Sequence, residues 1–254
     1  MADILDKFIE KARENVASGY YGNVKKAAVK KASLKKRLES GKFTLIAEIK
    51  HASPAGEYSF DDIDVEKTAR SFLANGADAI SVVVEPKIFK GDISNVAIAK
   101  STGLPVLFKD FVISEKQVDA AAASGADAML LVVKVATRTG MDLGKMIDYA
   151  HKQGLEVLLE CYDREEMEIA LASKADIVGI NNRDLQTLHV DLGRTGRIMG
   201  QIGKIQKPLI SESGVKERKD VEFLKGFGAN GVLVGTAIWK AADLGAKIRE
   251  LKMD

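Results

Sequence analysis

The sequence predicts an α/β protein of the (β/α)8 TIM-barrel class with an N-terminal helical extension. Three observations carry that expectation. Eight short apolar runs recur about every 27 residues, the length of a strand plus a crossover helix. Most of them are continuously apolar, as strands covered on both faces should be. Amphipathic stretches lie between them, four of the five clearest ending at a glycine. A chain of 254 residues suits one such barrel, so we expect a single domain over 1–254, with an extension at 1–42 and a barrel at 43–254.

Taken in order, the extension begins with a helical pattern in which Ile4, Leu5, Phe8, Ile9 and Ala12 form one stripe, suited to capping the barrel. Gly19 and Gly22 flank two tyrosines and mark a turn. The basic run KKAAVKKASLKKR (25–37) lacks interleaved aromatics and reads as a solvated helix face rather than a nucleic-acid contact. The predicted strands are 43–49, 79–84, 105–109, 128–133, 156–160, 176–181, 208–212 and 231–235. Helical spacing is clearest at 64–76, 114–125, 142–154, 164–173 and 217–228. A weak repeat, NGADAISV (75–82), SGADAMLL (124–131) and FGANGVLV (227–234), reads each time as helix end, turn and buried strand. An open doubly wound sheet would place GxGxxG after the first strand, where this chain has EIKHASPAG.

Composition narrows the function. With 38 Lys plus Arg against 36 Asp plus Glu, the net charge of +2 gives no reason to expect nucleic acid or an acidic membrane as partner. The single cysteine, Cys161, forms no internal disulfide, and His51, His151 and His189 lack ligand spacing. The N-terminus is too charged for a signal peptide and no apolar run approaches a membrane span. The expectation is a cytoplasmic protein.

In a (β/α)8 barrel, chemistry sits at the C-terminal ends of the strands. There the sequence places Glu48 and Lys50 (first strand), Lys109 (third), Glu160 (fifth), Asn181 (sixth) and Glu212 with Ser213 (seventh). One such charge is readily structural, but five convergent Lys and Glu residues suit acid–base work, because each biases the ionisation of its neighbours. Gly214 and Gly235, with Thr236 and Ser53, suit phosphate, since loops seven and eight of this fold bring backbone N–H groups close to an anion. No metal is expected, because the lysines already supply positive charge. Asp110 reads as structural, and Cys161 should face the helices if Glu160 faces inward.

The strings AEIKHASPAG (47–56), SVVVEPKIFKGD (81–92), PVLFKDFVI (105–113), GADAMLLVVKV (125–135), LLECYD (158–163), VGINNRDLQTL (178–188), SESGV (211–215) and VLVGTAI (232–238) together resemble the indole-3-glycerol phosphate synthase family of tryptophan biosynthesis. The resemblance implies a lyase that acts without cofactor or metal. It closes the ring of 1-(2-carboxyphenylamino)-1-deoxyribulose 5-phosphate with loss of CO₂ and water. It implies Lys109 as general acid, Glu160 as general base or as the carboxylate that stabilises the iminium-like intermediate, and Lys50 as the holder of the substrate carboxylate and donor to the departing hydroxyl. Glu48 and Asn181 would position the sugar hydroxyls and the lysines, with Glu212 and Ser213 as further contacts. Phosphate would meet Ser53, Gly214, Gly235 and Thr236, with Arg183 at the anthranilate end and Phe89, Phe111, Leu131 and Leu185 around the aromatic ring. A monomer is expected, with association with other tryptophan-pathway enzymes as a further expectation. Departures are Ala55, where a second serine is usual, VVVE at 82–85 for VLTE, and Cys161-Tyr162 in place of Val-His. A lysine Schiff-base aldolase, drawing on Lys50, Lys109 or Lys134, or another phosphosugar enzyme on the same barrel is the alternative, and a phosphosugar-binding barrel without turnover is the non-enzymatic one.

Overall fold

A computed structural model of the chain describes residues 3–253. Among them, eight parallel strands close into a barrel in sequence order: β1 (Thr44–Ile49), β2 (Ala79–Val83), β3 (Val106–Lys109), β4 (Ala128–Val132), β5 (Glu156–Cys161), β6 (Ile177–Asn181), β7 (Leu209–Glu212) and β8 (Gly231–Val234). Each lies within one residue of its predicted apolar run, because a strand buried on both faces leaves no polar alternation to blur its ends. β8 returns to β1 with Leu45 opposite Val232 and closes the sheet.

The helices are α1 (Ile4–Ala17), α2 (Leu34–Leu38), α3 (Val65–Ala74), α4 (Ser94–Lys100), α5 (Glu115–Ala123), α6 (Val133–Thr139), α7 (Leu143–Lys152), α8 (Arg164–Ala172), α9 (Gly193–Ile202), α10 (Arg218–Gly226), α11 (Thr236–Trp239) and α12 (Leu244–Leu251). The five helices legible in the sequence are α3, α5, α7, α8 and α10. Asp64, Ser114, Asp142 and Asp163 cap the first four by accepting backbone N–H bonds.

Two layers of core follow from the strand period. Alternate residues such as Leu45, Val82, Phe108, Leu131, Leu159 and Ile180 pack outward under the helices. Ile46, Ala79, Leu107, Leu158, Ile177, Ile210 and Leu233 fill the barrel interior.

The sequence repeat has a structural cause at the barrel floor. Asp78 accepts the Leu45 N–H (2.8 Å), Asp127 that of Val106 (2.9 Å), Asp176 that of Val157 (2.9 Å), and Asn230 that of Leu209 (2.8 Å). The residue entering each even strand thus satisfies the backbone where the preceding odd strand starts, which explains the recurring Ala-Asp or Ala-Asn.

The basic run departs from expectation. Residues 24–33 have no regular structure, and only α2 is helical. The segment is pinned to the floor instead: the Ala27 N–H donates to the Ala123 carbonyl (2.8 Å), the Lys31 ammonium to the Ala126 carbonyl, and the Ala32 N–H to Asp127 (2.7 Å). Val29 occupies the space beside Gly125, where a Cβ would lie 2.7 Å from the valine methyl. Leu34 and Leu38 then join the interior cluster from below. These backbone anchors are available only without a helix, and their gain outweighs helix propensity in this stretch. At the other end α1 buries Leu5, Phe8, Ile9 and Ala12, whereas Ile4 of the expected stripe stays half-buried.

Candidate active site

The C-terminal ends of the strands open into a cavity of about 860 Å³. Glu48, Lys50, Lys109, Glu160, Asn181, Ser213, Gly214, Gly235 and Thr236 line it. Strand alternation brings the first five there, since each lies an even number of residues beyond an interior position: Glu48 and Lys50 beyond Ile46, Lys109 beyond Leu107, Glu160 beyond Leu158, Asn181 beyond Ile177.

The charges form one connected group. Lys109 Nζ donates to Glu212 Oε2 at 2.9 Å and lies 3.3 Å from Glu48 Oε2, while Lys50 Nζ lies 2.8 Å from Glu48 Oε1. Two glycines make room for it. A Cβ on Gly179 would sit 2.7 Å from Glu212 Oε1, and one on Gly235 would sit 2.6 Å from Glu48 Oε1. Neither glycine has a positive φ, so close approach is the reason for the missing side chain. Glu212 itself is fully buried behind the cavity lining, and its Oε1, beside Gly179, has no hydrogen-bond partner.

The environment separates the ionisation of these groups. Burial works against the Lys109 ammonium, yet Glu212, Glu48 and Glu160 outweigh it and raise its pKa well above that of an ordinary lysine. Burial opposes the Glu48 carboxylate too, but Lys50 and Lys109 bring its pKa down to about 2. Glu160 goes the other way: burial and the charge of Glu212 push it up to about 8, against a smaller pull from Lys109.

Ser213 is held at φ 65°, a backbone state that costs of order 1 kcal/mol for a residue with a side chain. Asn182 secures it by donating to the Ser213 carbonyl (3.0 Å) and to Ser211 Oγ (3.0 Å). The next residue, Gly214, has φ 93°. Strand seven therefore ends in a rigid turn at the cavity wall.

One wall is apolar. Phe89, Phe111 and Leu185 line it as expected, joined by Phe8 of α1, whose ring stacks on Phe111 at 4.7 Å and lies 5.6 Å from Phe89. Phe8 belonged in the sequence to the apolar stripe of α1, and nothing there distinguished a cavity aromatic from a packing one. Leu131 is a correction. It lies outward in the helix-facing core, and its neighbours Leu130 and Val132 line the cavity instead, because a shift of one residue exchanges the faces of a strand. Ser53 is also displaced from its expected place: it is buried outside the cavity lining, and its hydroxyl donates to Glu57 Oε2 at 2.8 Å. Arg183 does line the cavity and reaches the same Glu57 oxygen at 3.5 Å, so residues expected at opposite ends of a ligand share one carboxylate.

Asp110 is structural, accepting from Tyr21 Oη (2.6 Å), Gln117 Nε2 (3.0 Å) and the Phe111 N–H (2.9 Å). Burial raises its pKa to about 6 against those hydrogen bonds. Cys161 faces the helices. Lys134 lies 3.6 Å from Glu166 and over the Tyr162 ring, outside the cavity lining. A Schiff-base nucleophile must be a neutral amine. Lys109 is held charged and Lys134 faces away, which removes two of the three lysines considered for that alternative. Among the described residues, no three His, Cys, Asp or Glu side chains are grouped to hold a metal ion, and no helix is long and apolar enough to cross a membrane.

Comparison with known proteins supplies the remaining evidence. The chain is 36% identical to an indole-3-glycerol phosphate synthase of Bacillus thuringiensis (strain Al Hakam) and to one of Bacillus mycoides (strain KBAB4), in each case over 100% of both chains. Among solved structures it is similar to a thiamine phosphate pyrophosphorylase from Pyrococcus furiosus (TM-score 0.62, 18% identity, 86% of this chain and 96% of that one). It is also similar to an N-acetylmannosamine-6-phosphate 2-epimerase from Clostridium perfringens (TM-score 0.60, 15% identity, 83% and 93%). At these identities the structural likeness speaks for the barrel alone. The family described as indole-3-glycerol phosphate synthase matches residues 4–251. With that match spanning the extension and all eight strands, the chain belongs to the indole-3-glycerol phosphate synthase family, carboxy-lyases of tryptophan biosynthesis.

Proposed function

We propose that the five charges of the barrel mouth carry out the ring closure of 1-(2-carboxyphenylamino)-1-deoxyribulose 5-phosphate. The observation that carries the reading is the Lys109 ammonium, buried between Glu212 and Glu48 at 2.9 and 3.3 Å, in the same mouth as a carboxyl group driven up to about 8. The aromatic carbon bearing the carboxylate attacks the ketone, and Lys109 protonates the oxygen as charge develops there. Loss of CO₂ returns the bonding pair to the ring. Lys50 gives the proton that lets the hydroxyl depart as water, and Glu160 accepts the proton lost from the adjacent carbon, completing the indole.

Glu48 and Asn181 align the two lysines and the sugar hydroxyls. Glu212 holds Lys109, and Ser213 adds a contact from the rigid turn. The N–H groups around Gly214 and Gly235, with the Thr236 hydroxyl, take the phosphate. The aromatic ring lies against Phe8, Phe89, Phe111, Leu130 and Leu185. The substrate is a small phosphosugar. We further propose a cytoplasmic monomer, free to associate with other tryptophan-pathway enzymes; the near-neutral charge and the lone buried cysteine support this setting.

Substrate labelled with ¹⁴C in its carboxyl group tests the reaction directly. The reading expects one equivalent of labelled CO₂ for each indole product formed. Label retained in the product, or release of CO₂ without an indole, would overturn it.

A further inference from the structure

Glu57 lies in the loop between β1 and α3, at the rim of the cavity that Arg183 also lines. Its Oε2 accepts from Ser53 Oγ at 2.8 Å and from Arg183 Nη2 at 3.5 Å. The loop is folded down as a narrow hairpin. Ala52 bridges Ser59, and the N–H groups of Ser53 and Phe60 donate to the Tyr58 and His51 carbonyls. Phe60 packs on Trp239, with ring centroids 5.7 Å apart. Beside Glu57, the Tyr58 hydroxyl is buried with no hydrogen-bond partner.

A carboxylate at the rim of a site read as taking a substrate with two anionic groups is unfavourable there unless it has a purpose or a partner. This one is paired with Arg183, the cavity-lining donor that the substrate's own oxyanion would otherwise engage. Arg183 is pre-set for the purpose: its Nη1 donates to the Leu188 carbonyl at 3.1 Å, which fixes the guanidinium while Nη2 points to the anion.

We propose that Glu57 is a built-in competitor for substrate: its carboxylate, braced by Ser53, occupies the Arg183 guanidinium at the cavity rim in the free protein and is displaced when a carboxylate or phosphate oxyanion of the substrate enters. The proposal rests on the ring-closure reading, with Arg183, which lines the cavity, as a contact for one of the substrate's anionic groups. It makes Glu57 a residue that sets affinity rather than rate. Displacement frees the carboxylate to solvent at the rim.

The test is a gain of binding. Calorimetric titration with inorganic phosphate and, separately, with anthranilate compares the wild-type protein with Glu57→Gln and Glu57→Ala, each checked for an unchanged unfolding midpoint. Removing one partly exposed competing charge is expected to tighten one of the two anions about three- to tenfold. Tightening of phosphate assigns the subsite to the phosphate, and tightening of anthranilate assigns it to the ring carboxylate. In turnover, KM for the substrate falls by a similar factor and kcat stays within about twofold. Unchanged or weaker binding of both anions in both folded variants would overturn the proposal, because a purely structural Glu57 predicts loss. Tighter anion binding by a protein that forms no indole would instead sink the ring-closure reading and leave the competitor in place.

Discussion

Lys109 and Glu160 share one barrel mouth, yet their surroundings drive them to opposite protonation states. Lys109 stays an ammonium because Glu212 and Glu48 outweigh its burial, while Glu160 is pushed up to about 8 by burial and by Glu212. Glu160 is therefore mostly protonated at neutral pH, so a base role requires pH to rise. In the free protein, kcat/KM should therefore climb close to tenfold per pH unit below about 8 and level off above it. Glu160→Gln should remove that limb, and a pH series of initial rates for both proteins checks it. The same shift acts on stability with the opposite sign. Because Glu160 is raised from 4.5, its contribution is fully present below 4.5 and is lost as pH rises through about 8. Glu48, lowered from 4.5 to about 2, contributes above 4.5 and loses that contribution as pH falls through 2.

At the scale of elements, the floor residues that cap the odd strands make a prediction of stability. Asp127 is fully buried; it holds the Lys100 ammonium at 2.6 Å and takes N–H bonds from Val106 and Ala32. Asp127→Ala leaves Lys100 buried and unpaired, and should cost about 3–5 kcal/mol, read as a lower denaturant midpoint. The strands were legible because continuous apolar runs admit few alternatives in a chain of this length. Helices were harder. α6 begins directly from the end of β4, with Val132 at its N-cap and no side-chain cap, so run and helix merged. α9 carries Gly193, Gly196 and Gly200, which lower helix propensity, and the Phe227 ring packs against Gly196. α4 is short and uncapped by a side chain. The site was legible where chemistry fixes residue type, as with the lysines and carboxylates. It was not legible where only facing matters: Leu131 against Leu130 turns on one residue of register, and Phe8 on where α1 docks.

For the whole molecule, we propose that the extension and barrel form one cooperative unit. α1 supplies Phe8 to the cavity, Asp3 pairs with Arg138 of α6 at 2.6 Å, and Leu34 and Leu38 enter the interior cluster from the floor. Intrinsic fluorescence of Trp239 and far-ultraviolet circular dichroism should then report one coincident unfolding transition in urea. Two separated transitions would divide the extension from the barrel. The most direct test of the central claim is the appearance of indole fluorescence when the purified protein meets 1-(2-carboxyphenylamino)-1-deoxyribulose 5-phosphate, alongside Lys109→Ala and Glu160→Ala. The account predicts a rising signal in the wild type and initial rates lowered by about 10² or more in each folded variant. Variants as fast as the wild type would contradict the assignment of acid and base, and a folded wild type that gives no signal would contradict the ring closure itself.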